Sequence, residues 1–416
     1  MRRKRTVALA LLFTAAFLVV SAGCERQRNA SSTELPAGPA KGPALNRTVL
    51  LSGLETPWDL AFTPDGAMLF TEKCRGLSVR LPDGTVRRLF GTSGAAVVAE
   101  DFFCQGQSGM HGVAVDPEFK RNRTIYVFMP SQLSTPAANR VVRLTLSKGY
   151  STVSQRTDIV TDIPFKNSFN RWGRAGAHSG GRLRFSPLDG FLYVTTGDNH
   201  NGTLPQDLTL LGGKILRIDG NGGAAPDNGT PPGGDPRIFT YGHRNVQGIA
   251  FHPDTGQPFS CEHGPGHHDE VTPLKAGGNG GWDPAPEPGV SCPSNYCGYI
   301  SNNPEGTPTS MTDLGKFPDA MQPAWDNDGD SEGMCPCIFL KGEKWGPWNG
   351  RLAVGFLRGS RIEILQLDQT GITTKATRVS GIPSERIRSL VQAPDGDLVV
   401  TIDGGEIWRL TPNLQP

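Results

Sequence analysis

Apolar residues along this chain fall in short runs, each introduced by a turn built from Pro, Asp and Gly. The phrase reads Thr63-Pro64-Asp65-Gly66 before Ala-Met-Leu-Phe, and Asp116-Pro117 before Thr124-Ile-Tyr-Val-Phe. It returns as Ser186-Pro187-Leu188-Asp189-Gly190 before Phe-Leu-Tyr-Val, and as His252-Pro253-Asp254 before Gln257-Pro-Phe. A weaker copy is Gly346-Pro347-Trp348-Asn349-Gly350 before Arg-Leu-Ala-Val, and the last is Ala393-Pro394-Asp395-Gly396 before Asp-Leu-Val-Val. Pro presets φ for a turn, Asp and Gly tolerate its other positions, and the β-branched and aromatic residues that follow suit strands. The six copies lie about 45 to 95 residues apart, the length of one propeller blade or a blade with insertions. The pattern predicts an all-β, six-bladed β-propeller over residues 47–416. A Gly-, Pro-, Asn- and Cys-rich stretch from about 284 to 344 reads as a long loop insertion. In a propeller the inter-strand loops at the channel mouth carry the chemistry.

Composition agrees. The 416 residues include 53 Gly and 34 Pro, about a fifth of the chain against roughly 12 % in average proteins. Both are poor in helix interiors, which excludes bundles and coiled coils. The formal charge is +1, and no basic stripe of nucleic-acid type is present.

The cations gather instead at Arg2-Arg3-Lys4-Arg5, before an apolar run from Val7 to Val20 and then Ser21-Ala22-Gly23-Cys24. This is the form of a secretory signal over residues 1–23. The run is too short for a comfortable membrane span. Cys24 after Ala-Gly resembles a bacterial lipoprotein box, in which that Cys is acylated and anchors the protein; Ser21 stands where Leu is usual. Residues 24–46 read as a flexible tether. An exported, periplasmic or cell-surface location follows, and with it the prospect of disulfides. Seven further Cys remain, so at least one is unpaired within a monomer. Cys74 with Cys104 and Cys292 with Cys297 are plausible pairs. Cys335 and Cys337 read as disulfide formers in the insertion rather than metal ligands.

Six polar clusters occupy the predicted loops: Gly106–Gly112, Ala177–Leu183, Gly197–His200, Tyr241–Gly248, Glu262–Glu270 and Ser384–Arg388. Arg386 and Arg388, two apart on a strand, point to one face. Two guanidinium groups so placed repel unless an anion lies between them, and Arg suits bidentate recognition of carboxylates. With Arg244 and Arg358 they suggest a pocket for a small anionic ligand. His178 sits in a Gly-rich loop, with Asp198 one strand away as the carboxylate that could hold it in one tautomer as a general base.

These clusters, in this order, resemble the soluble quinoprotein sugar dehydrogenases, nearest to the bacterial aldose sugar dehydrogenases, over roughly Leu54 to Leu410. The most specific elements are His-x-Gly-Gly-Arg-Leu, Tyr-Gly-x-Arg-Asn-x-Gln-Gly, Glu-His-Gly-Pro and Arg-x-Arg. The resemblance implies a six-bladed propeller using pyrroloquinoline quinone (PQQ) and calcium to oxidise aldoses at C1 to the lactone, passing electrons to an unidentified acceptor. It implies His178 as base and Asp198 as its orienter. Gln107, Arg244, Asn245, Arg358, Arg386 and Arg388 would hold the cofactor, and the carbonyls of Gly264 and Pro265 the calcium. Arg358 departs from the family, which usually has Lys there.

Other features read more plainly. Trp282, Trp325 and Trp345 could stack on sugars but suit ordinary packing. Asp326–Asp330 resembles the start of a calcium loop, yet Cys337 stands where an EF-hand needs Glu, so it reads as a solvated acidic turn. His267-His268 reads as a polar loop variant. Two alternative functions remain: a propeller that binds cofactor or sugar without turnover, and a lactone hydrolase, whose central metal needs converging carboxylates.

Overall fold

Each of the six turns read from the sequence closes the first hairpin of a sheet. The computed structural model describes residues 42–413, apart from 170–172, 287–288, 290, 292, 298–310 and 369–370. Among these residues six sheets of four or five strands follow one another along the chain. The first hairpins pair Pro57–Phe62 with Met68–Glu72, Val113–Val115 with Thr124–Ser131, and Leu183–Phe185 with Leu192–Thr195. They continue with Val246–Phe251 and Pro258–Glu262, Met334–Phe339 and Leu352–Phe356, and Ile387–Gln392 and Leu398–Ile402. The turn chemistry is local: in the first copy Gly66 adopts φ 84° and donates its N–H to Thr63 O at 2.9 Å. Gly396 does the same work in the last copy at φ 85°.

Both faces of most strands are buried, so second strands such as Met68–Glu72 and Leu352–Phe356 are covered throughout. The reason is visible in the packing. Six apolar clusters each join one blade to the next, for example Leu69, Val79, Val113 and Val127 between the first and second. The cluster holding Leu60, Phe70, Val399 and Ile407 joins the last blade to the first. The ring is closed by an early and a late strand of the chain. Ala44–Leu51 adds antiparallel to Glu406–Asn413, with Ala44 opposite Asn413, as the outer strand of the sixth blade. This strand starts inside the stretch expected to be tether; residues 1–41 lie outside the described residues.

The expected insertion over 284–344 is shorter than read. Trp325–Asp326 is the outer strand of the fourth blade, and Met334–Phe339 is the inner strand of the fifth. Pro336 between two cysteines obscured that strand's apolar character. Cys335 and Cys337 are accordingly free thiols buried in a strand, as is Cys261, and not disulfide formers in a loop. Cys74 and Cys104 are bonded, as expected. Cys297 is also disulfide-bonded, and Cys292 lies outside the described residues.

The meander gathers the chemistry. All six turns lie at the far ends of the inner strands. Residues just before an inner strand and just after a second strand therefore meet at the opposite mouth of the ring. Gln107, His178, Arg244 and Arg386 occupy the first kind of place; Lys73, Asp198, His263, Arg358 and Asp403 occupy the second.

Candidate active site

A cleft of about 380 Å³ opens at that mouth. Of the residues expected to hold a cofactor, Gln107, Asn245, Arg358, Arg386 and Arg388 line it. Lys73 joins them, giving four cationic side chains against a single carboxylate, Asp403. Arg386 and Arg388 do have an anion between them, and it is the protein's own. Asp403 accepts from Arg386 Nε at 3.0 Å and from Arg388 Nε and Nη2 at 2.8 Å each. Burial alone would raise the Asp403 pKa, but Arg388 and Arg386 hold it below the usual range. The cleft thus carries an excess of three positive charges. Lys73, held against Gly106 O at 2.8 Å, has its pKa lowered by burial and then by Arg388. The Cys74–Cys104 bridge ties the Lys73 turn to the Gln107 loop across 30 residues.

Arg244 is buried behind the lining. Its Nη1 donates to His263 O at 2.9 Å, and its Nε has no partner among the described residues. Glu262 shapes this corner: one of its oxygens accepts the backbone N–H groups of both Arg244 and Asn245, the other faces His243 Nδ1 at 3.1 Å. Gly264 and Pro265 adjoin the lining residue His263 but do not line the cleft themselves. The fully buried Asp269 braces their loop, accepting from Gly264 N at 3.0 Å, Ser331 Oγ at 2.6 Å, Glu332 N at 2.8 Å and Met334 N at 3.1 Å. The 326–330 segment is not simply a solvated turn. It braces the same loop through Asp326, which takes His268 Nδ1 at 2.9 Å, and Asn327, which accepts from Asp269 N at 3.0 Å.

His178 and Asp198 meet as expected, with Nδ1 2.7 Å from Asp198 Oδ1, both buried. His178 borders the cleft through Gln107, whose Oε1 accepts its backbone N–H at 3.4 Å. The loop is tightly wound. His178, Asn199 and His200 all have φ near 52°, a left-handed backbone that costs a non-glycine residue about 1–2 kcal/mol. Gly180 and Gly181 allow close approach, though to the protein rather than to a ligand: a Cβ on Gly180 would fall 2.6 Å from Thr196 Cα, and one on Gly181 2.7 Å from His111 Nδ1. The His200 ring lies 3.6 Å from that of His178.

Burial pushes the His178 pKa well below its usual value, reinforced by Arg244, His263 and Lys166. Burial likewise holds His200 at about 2, and His111, stacked on Trp58 at 4.4 Å, at about 3. All three imidazoles are neutral at neutral pH, and His178 is free to accept a proton. A stability consequence follows. An unfolded His protonates near pH 6.5 while these do not, so below that pH the unfolded state binds more protons. Stability must fall with pH, by up to about 1.4 kcal/mol per unit for each residue. The melting temperature should therefore drop steadily from pH 7 to pH 5; a flat profile would contradict the neutral burial of these rings.

Sequence reasoning missed Lys73 and Asp403, and it gave no role to Glu262 and Asp269, which stood within one of the polar clusters. The first two carried a signal, since each directly follows a second strand, the position that His263 fills in the fourth blade.

The comparisons with known proteins cover the same region. The sequence model described as Glucose / Sorbosone dehydrogenase matches residues 54–409. An aldose sugar dehydrogenase of Escherichia coli (strain K12) is 29 % identical over 92 % of this chain and 96 % of its own. Quinoprotein glucose dehydrogenase B of Acinetobacter calcoaceticus is 27 % identical over 89 % and 88 %. The solved PQQ-bound form of an aldose sugar dehydrogenase from Streptomyces coelicolor is 25 % identical, covers 91 % of this chain and all of its own, and superposes with a TM-score of 0.67. With its six blades, its cationic axial cleft and its buried His–Asp pair, the chain belongs to the glucose/sorbosone dehydrogenase family.

Proposed function

We propose that this sugar dehydrogenase uses PQQ, held in the axial cleft, to oxidise aldoses at C1 to the lactone, with His178 as general base. The observation that carries the reading is a neutral, carboxylate-oriented imidazole beside a cleft with three excess positive charges. PQQ is a planar tricarboxylate, and Lys73, Arg358, Arg386 and Arg388 match its charge. The buried Nε of Arg244, without a partner among the described residues, offers one further donor. Arg358 fits as a planar donor where the family usually presents Lys, and it is exposed at the rim, donating to Ser331 O at 3.3 Å.

For calcium, the described residues hold no cluster of three or more His, Cys, Asp or Glu side chains. An ion would rest on backbone oxygens, which calcium accepts. The Gly264–Pro265 loop is suited to that: it curls so tightly that a Cβ on Gly264 would lie 1.7 Å from His267 O. These residues would hold PQQ and calcium, which together would supply a hydride-accepting quinone activated by a Lewis acid. The protein's own part is proton transfer. Asp198 takes the His178 Nδ1 proton as a hydrogen bond, leaving Nε2 unprotonated to receive the anomeric hydroxyl proton as the C1 hydrogen departs as hydride. The leader and Cys24 support export and a lipid anchor, which would present the ring to an electron acceptor at a membrane surface.

Adding PQQ and calcium to the purified protein should change its absorbance and yield aldose oxidation with an artificial electron acceptor. Tight cofactor binding with no oxidation of any aldose would refute the catalytic reading and leave a binding module. Lactone hydrolysis without PQQ would point to the hydrolase.

A further inference from the structure

We propose that Trp282 is a positioning residue for the His178–Asp198 pair, an inference that rests on His178 being the base. The sequence left Trp282 between a sugar-stacking platform and ordinary packing; the structure places it in neither role alone. Its side chain is about 1 % exposed, which excludes stacking on a ligand. Its indole Nε1 donates to Asp198 Oδ2 at 2.9 Å. The other oxygen, Oδ1, receives His178 Nδ1 at 2.7 Å and the His200 backbone N–H at 2.9 Å. Each oxygen therefore has its own assigned donor, and the carboxylate cannot turn about its bond without losing both.

The chemistry of the donor matters. An indole N–H donates and cannot accept. It therefore requires a lone pair at Oδ2 and favours the ionised carboxylate, opposing the upward push that burial gives to the Asp198 pKa. An ionised Asp198 fixes the His178 proton on Nδ1 and leaves Nε2 as the free base. A smaller phenylalanine would fill only part of the space and could not make this choice.

The third blade also holds Trp282 rigidly. The preceding short strand Gly278–Asn279 lies parallel to Ile238–Tyr241 at the edge of the third blade. Trp282 N donates to Gly242 O at 3.0 Å, and Trp282 O accepts from Gln206 Nε2 at 2.9 Å. Its ring packs with Tyr296 and Met311 in a small separate core. Tyr296 in turn sets its ring edge-on to His200, with centroids 5.2 Å apart, and His200 lies against His178. Trp282 and Tyr296 thus form the back wall of the catalytic pair, and the indole carries a hydrogen bond into it.

The test uses the enzyme loaded with PQQ and calcium. Trp282→Phe should lower kcat about 10- to 100-fold, the scale of a small misplacement of a catalytic group, with KM and PQQ affinity little changed. It should also move the acid limb of the kcat/KM profile to higher pH. Asp198, without the indole donor at Oδ2, then concentrates its charge on His178 and raises that residue's proton affinity. A second variant carries benzothienylalanine at position 282, which keeps the indole's shape and replaces only the N–H. It should reproduce both effects, which separates loss of the donor from loss of packing. Wild-type kcat and pH profile in either variant would overturn the proposal, as would a lower kcat with an unshifted profile. A His178→Asn variant run alongside distinguishes the two levels. Full turnover there removes the base reading and this inference together. Loss of turnover there, with normal Trp282 variants, removes this inference alone.

Discussion

His178→Asn should reduce kcat for aldose oxidation by about 10³- to 10⁴-fold, the upper range for losing a general base, while the cofactor titration stays unchanged. Asparagine is the sharpest replacement at this position. It tolerates the left-handed backbone that His178 adopts at φ 52° better than other side chains do. Its amide nitrogen can also replace Nδ1 as donor to Asp198, so the buried carboxylate keeps its partner. What disappears is Nε2, the atom assigned to the sugar's proton. None of the cationic residues lining the cleft is altered. Steady-state rates with an artificial acceptor, set beside PQQ binding followed by absorbance, read the two effects separately. Turnover within tenfold of the parent would show that another group takes the proton.

Replacing Asp59 by Asn should destabilise the ring by about 3–5 kcal/mol, the cost of leaving a buried charge without its partner. Asp59 is fully buried on the innermost strand of the first blade. It pairs with Arg182 at 2.6 Å and Arg184 at 2.8 Å from the third, and accepts from Ser389 Oγ at 2.7 Å in the sixth and Val113 N at 3.2 Å in the second. Arg182 extends the connection, donating to Gln247 O at 3.0 Å in the fourth blade and Arg388 O at 2.8 Å in the sixth, and reaching Cys335 Sγ at 3.9 Å in the fifth. One ion pair therefore touches all six inner strands. Burial disfavours the Asp59 charge, but Arg182 and then Arg184 bring its pKa down to about 2. The carboxylate stays ionised under all ordinary conditions, and Arg182 depends on it. Denaturant unfolding of the Asn variant measures the loss. Ser389→Ala, which removes one neutral donor, should cost only about 1 kcal/mol. Equal midpoints for parent and Asp59→Asn would mean that Arg184 and Ser389 alone keep the axis together.

The parts of this molecule that could be read from its residues are those governed by local chemistry. Pro, Asp and Gly favour a tight turn, so the turns of all six first hairpins were visible, and their number set the fold. His178, Asp198 and the Arg-x-Arg pair stood in loops beside those turns, and the resemblance of their motifs to the sugar dehydrogenases gave them their roles. The fifth blade's inner strand was hidden because Met334–Phe339 carries Pro336 and two cysteines, and only burial between neighbouring blades makes it a strand. Asp403 was hidden because its role is fixed by two arginines 15 and 17 residues away. Trp282 lies 84 residues from Asp198 and meets it only because the ring folds one blade's insertion over another blade's loop.

The closure of the ring has a consequence of a different kind. Ala44 and Asn413 are opposite one another in a single ladder. The division of this blade between an early and a late strand is therefore arbitrary with respect to the architecture. Joining residue 413 to residue 44 by a short linker, and opening the chain at a turn such as Gly149, where no neighbour lies within 4 Å of an added Cβ, gives a different linear order of the same blades. The interfaces, the axial ion pair and the cleft would be unchanged, because each is defined by position around a circle.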